Sequence, residues 1–140
     1  MSIKSSNHSS DINRWKTIPF ILGYEVKLSN NPKLQHEICK QLTGKYPKWF
    51  IFTDWCEGCG CYLVPILPAS KEYDKYEDAI LNGTSDRYVF KGMITDLPDN
   101  FKKWVKDNYP VYSKDAPGFI KINMNNASFR KVIYPDYSWY

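Results

Sequence analysis

Arginine is scarce in this chain of 140 residues: of 19 basic side chains only Arg14, Arg87 and Arg130 are arginines. Proteins that read nucleic acid lean on the guanidinium fork for bidentate phosphate and guanine contacts, so a net charge of +4 carried by lysine argues weakly for that class. Histidine is scarcer still, with His8 and His36 alone, which restricts the general bases open to any hydrolytic mechanism. Long apolar runs are missing, and "MSIKSSNHSSDINRW" has no hydrophobic h-region. The expectation is a chain outside the membrane, in a reducing cytoplasm of its own cell or of an infected host, where structural disulfides do not form. Repeats and low-complexity segments are also lacking, and nothing divides the chain.

What is present is a globular composition, 43% hydrophobic and 24% charged, of a size for one domain with a modest core. Aromatic residues reach 16%, enough to fill core and still leave rings for a partner-facing surface. Along "FILGYEVKLS", Tyr24, Val26 and Leu28 alternate with Glu25 and Lys27 as in a half-buried strand. "NNPKLQHEICKQLTG" reads as a helix with Asn31 as N-cap, Pro32 at its first position and Gly44 beyond its end. Leu34, Ile38 and Leu42 form its stripe, and Cys39 lies at the stripe's edge. "KWFIFTDW" and "CYLVPIL" read as two strands, the second placed at a sheet edge or bulged by Pro65. Helices are expected at about 71–82, from a Ser70 cap to a Gly83 stop, and at 99–108 with Phe101, Trp104 and Val105 inward. "GFIKINMNNASFRKVIYPDYSWY" suggests one or two strands and an aromatic end.

The expected architecture is therefore α+β: a single small domain with a short, mostly antiparallel sheet, about three helices and a cysteine-rich, zinc-knuckle-like loop. Residues 1–10 are expected to be a flexible tail, 11–126 the folded domain and 127–140 an aromatic C-terminal segment.

That loop, "WCEGCGCY", gathers three of the four cysteines into six positions. In C-x-x-C-G two sulfurs converge on one ion, and glycines let backbone N–H groups turn toward them. Cys59 and Cys61 share a face of an extended segment. Cys39 is the remaining cysteine and would complete a closed, structural four-thiolate zinc site. His36, three residues earlier, could take its place, although such a histidine is more often a plain surface residue. The bland alternative makes all four small buried residues. A catalytic thiol would need a base, and only His36 is near in sequence; a redox C-x-x-C would open a helix. Both fit poorly.

The same residues carry a resemblance. From Ser9 to Asn123 the chain resembles the C-terminal part of phage Mu F-like head-morphogenesis (minor capsid) proteins, in the form carried by Bacteroides-type phages and prophages. Cys39, Leu42, Gly44, Lys45, Tyr46 and Pro47 match a cysteine followed by Leu-x-Gly-Lys-Tyr-Pro. Trp55, Cys59 and Cys61 match a Trp-His-Pro-x-Cys-Arg-Cys signature. Cys56, Glu57 and Gly60 stand where that signature has His, Pro and Arg; cysteine for histidine exchanges one zinc ligand for another. The resemblance implies a minor head protein in the virion or the host bacterial cytoplasm, with portal or capsid proteins as partners and no enzymatic activity. The competing reading, a zinc-containing nucleic-acid module, rests on Lys102, Lys103 and Lys106 beside Trp104, and on Lys40, Lys45 and Lys48 near Trp49. Solvated helix faces are the better explanation of those lysines, given the mild net charge. A toxin or nuclease would draw on Asp96 and Asp99 or the acids from Glu72 to Asp78, which read better as a helix start and the wet face of a helix.

Overall fold

The computed structural model describes residues 3–136. Its sheet has β1 (Gly23–Lys27) at the centre, flanked antiparallel by β2 (Gly44–Tyr46) and β3 (Tyr62–Ile66). Tyr24 and Val26 are fully buried and Lys27 is exposed, the alternation that the sequence predicts. Pro65, which has no N–H to offer a ladder, sits on β3 opposite Tyr24, and β3 lies at the edge of the sheet.

Six helices surround this sheet among the described residues, where about three were expected. They are α1 (Ile3–Lys16), α2 (Glu37–Leu42), α3 (Ser70–Leu81), α4 (Asp99–Asn108), α5 (Gly118–Lys121) and α6 (Ala127–Ile133). α3 and α4 agree with the sequence reading within a residue, although Ser70 begins α3 and Ala69 occupies its cap.

The other differences have physical reasons. Residues 3–10 are not a loose tail but the first part of α1, anchored by its buried Ile12 and Trp15 at i, i+3. Burial of that short stripe overrides a poorly helical, serine-rich composition. The helix expected from Asn31 onward is two pieces. Asn31 does cap, its side chain accepting from the Lys33 N–H at 3.0 Å, but it caps a single 3₁₀ turn over Pro32–Leu34. Gln35 then leaves helical geometry and donates its side-chain amide to the Ser29 carbonyl at 2.6 Å. α2 starts anew behind His36, and Gly44 belongs to β2.

"KWFIFTDW" forms no strand. Phe50, Phe52 and Trp55 are buried on an irregular segment whose rings pack into the core. The stretch after Gly118, expected as strands, is helical, and Asn126 caps α6 by accepting from the Ser128 N–H at 2.7 Å. Within 127–136, Phe129 and Tyr134 belong to the main core. The remaining aromatic end, 137–140, lies outside the described residues.

The core is largely aromatic. Trp55 meets Phe52 and Phe119 edge-on, each with ring centroids 4.8 Å apart, and Phe101 meets Phe50 edge-on at 5.3 Å. Trp55 is therefore a fixed post from which the cysteine loop departs.

Candidate metal centre

Each wall of the cysteine cluster is set by a local feature. Cys39 lies in the middle of α2 and is fully buried. Cys56 follows the Trp55 post. A tight turn joins Cys56 to Cys59, with the Cys59 N–H donating to the Cys56 carbonyl at 3.1 Å. Gly58 stands inside it at φ +78°, a backbone region that costs an L side chain about 1–2 kcal/mol. Cys61 then leads directly into β3.

Gly60 is required for a different reason. A Cβ there would lie 2.8 Å from Leu34 Cβ and 3.0 Å from Ser29 Cβ, so the loop rests on the 3₁₀ turn through bare backbone. The arginine that the resembled signature carries at this position has no room in the loop as packed.

These constraints bring the four cysteines together. Cys39 Sγ lies 3.3 Å from Cys59 Sγ, and His36 Nδ1 lies 2.9 Å from Cys56 Sγ. The donor atoms of Cys39, Cys59 and Cys61 all fall within 4.8 Å of one another, and so do those of His36, Cys39 and Cys56. Two thiolates bound to one zinc at about 2.3 Å stand roughly 3.8 Å apart. Each triad therefore has the donor type and the spacing for a divalent ion; Cys39 is common to both, and the five residues named from the sequence are divided between them. The chemistry of thiolates favours zinc or another soft ion.

The thiols are strongly differentiated. Cys59 is pulled down to about 5, chiefly by the Cys61 thiol donating to its sulfur, against the opposing effect of burial. Cys61 is correspondingly pushed up by that hydrogen bond and by burial. Burial and the hydrogen bond with Cys59 raise Cys39 to about 12, and burial raises Cys56. All four are free cysteines.

Of the six lysines proposed for nucleic acid, Lys48, Lys102 and Lys103 have partners. Lys102 pairs with Asp96 at 2.8 Å and with Asp99 at 3.5 Å, and Lys103 pairs with Asp107 at 2.9 Å. Lys48 donates to the Ile18 carbonyl at 3.0 Å, and burial lowers its pKa. Lys106 shares a shallow recess with Asp99, Lys102 and Lys103. Lys40 and Lys103 do face one groove of about 440 Å³ beside Trp104, between α2 and α4, but Asp107 lines it as well. The same pairs include Asp96 and Asp99, two of the acids offered for catalysis. Asp96 also accepts from the Leu97 N–H at 2.8 Å, and the Lys102 hydrogen bond holds its carboxyl below the usual range.

Two contributors were not legible in the sequence. His8, given no role there, packs edge-on against Phe52 with centroids 5.0 Å apart and lies 3.6 Å from Asp54. Asn123 holds the segment that leads to the cluster. A seven-residue spacing of His8, Ile12 and Trp15 was the available signal for the first; the second had none.

Comparison with protein-family models, with curated proteins and with solved structures finds no match.

Proposed function

We propose that this chain is a non-enzymatic domain of a phage or prophage-derived minor head protein, stapled by one zinc ion and acting through protein contacts in virion assembly. The observation that carries the staple is the approach of Cys39 to Cys59 across 20 residues of sequence, 3.3 Å between sulfurs. Cys39, Cys56, Cys59 and Cys61 would hold the ion. Bound there, it would supply a cross-link between α2 and the loop before β3. A closed site of four protein donors leaves no position for substrate, which favours a structural role.

The virion assignment draws on the resemblance of Ser9 to Asn123 to Mu F-like head proteins. A role in protein contacts draws support from large apolar side chains left on the surface. Leu81 is 84% exposed and Val89 81%, and Leu67 and Ile80 are at least half exposed. No helix among the described residues is long and apolar enough to cross a membrane.

Elemental analysis of protein purified under reducing conditions tests the staple. About one zinc per chain is expected, with loss of folded structure on chelation. Metal-free protein with an unchanged melting transition would remove it. Co-expression with portal and capsid proteins tests the assembly role, which fails if the chain co-purifies with neither and is missing from purified particles.

A further inference from the structure

The cluster offers one donor more than a four-coordinate ion takes. Cys39 belongs to two sets of three: with Cys59 and Cys61, all buried, and with His36 and Cys56, both half-buried. Two arrangements are open for His36: a ligand in its own right, or a group acting on a ligand from outside.

Its position favours the second. His36 is the residue at the cap of α2, one turn before Cys39. Its Nδ1 lies 2.9 Å from Cys56 Sγ, a hydrogen-bond contact. The turn runs beside the ring: a Cβ on Gly58 would stand 3.7 Å from His36 Cε1, in ordinary contact. Charge points the same way. Four thiolates around a divalent cation leave a net negative centre, which N–H groups donating to the sulfurs stabilise. An imidazole N–H aimed at the half-exposed sulfur provides such a donor at the vertex that solvent reaches first.

Resting on the metal reading above, we infer that His36 is a positioning residue for Cys56 and not a metal ligand. Its Nδ1–H donates to the Cys56 sulfur, holds that side chain on the ion, and sets how fast the ion escapes.

Cobalt substitution and zinc release together test this. The wild-type cobalt complex is expected to show the charge-transfer intensity of four thiolates. His36→Ala should keep that spectrum and about one ion per chain, yet release zinc to a competing chelator about 10–100-fold faster, the range for loss of an outer donor. His36→Asn, whose amide N–H can stand near the place of Nδ1, should recover most of the slow release. A wild-type spectrum of three thiolates and one imidazole would overturn the inference without touching the staple, as would two ions per chain or unchanged release from His36→Ala. A chain that binds no metal at all would overturn both.

Discussion

The side-chain amide of Asn123 closes on the backbone of Ile51 from both sides: its Oδ1 accepts from the Ile51 N–H at 2.9 Å, and its Nδ2 donates to the Ile51 carbonyl at 2.8 Å. The same Nδ2 also donates to the Phe119 carbonyl at 2.8 Å, and Asn123 is fully buried. A side chain thus does for Ile51 what a neighbouring strand would do, 72 residues away in sequence.

Replacing Asn123 by alanine is expected to cost about 2–4 kcal/mol, because half-buried backbone groups of Ile51 lose their partners. Asn123→Asp should be no better, since a carboxylate keeps the acceptor but turns negative oxygen toward two carbonyls. Denaturant unfolding of the two variants measures this. A loss under half a kilocalorie would mean that water or another group satisfies Ile51.

Gly60→Ala should destabilise the loop, because Leu34 and Ser29 leave no space for a methyl group. Gly60→Arg should be worse. We expect about 1–3 kcal/mol for the alanine variant, together with weaker metal retention. Equal melting temperatures of Gly60→Ala and the parent protein would show that the 3₁₀ turn yields freely.

Cys39→Ser removes the one sulfur shared by both triads. It is expected to abolish stoichiometric zinc, whereas Cys56→His should retain it, a histidine being an alternative zinc ligand. Metal content after gel filtration distinguishes the two. Full zinc in Cys39→Ser would place the ion elsewhere.

Metal uptake should weaken steeply in acid. Cys39, Cys56 and Cys61 have thiol pKa values raised above the ordinary range, so they hold protons at neutral pH that an ion must displace. Each displaced proton makes affinity fall as pH falls. Chelator competition between pH 6 and pH 8 should therefore show affinity rising by more than about tenfold per pH unit. A flat profile would exclude thiol deprotonation on binding.

Trp15→Ala tests α1. Trp15 is buried against Tyr24, so the loss should reach about 3–5 kcal/mol. A dispensable α1 would leave the unfolding midpoint unchanged.

The elements legible in the sequence are those whose pattern is local. β1 follows from the alternation of Tyr24 and Val26 with Glu25 and Lys27, α4 from Phe101 and Val105 on one face, and the edge position of β3 from Pro65. The cysteine spacing pointed to Cys56, Cys59 and Cys61, and the structure places each of them within reach of Cys39. What failed was long-range. "KWFIFTDW" has strand propensity, yet its backbone partner is the side chain of Asn123; "GFIKIN" alternates like a strand, yet coils into α5 because Phe119 and Ile120 are both drawn into the aromatic core.

Sequence alone determined which atoms could bind an ion, because ligand chemistry belongs to the residue and not to its surroundings. Tertiary structure decided that Cys39 meets Cys59, that His36 turns to Cys56, and that Gly60 must be bare. Those contacts join segments that no local period connects, and only the packing of α2 against the loop held by Trp55 sets the distances between them.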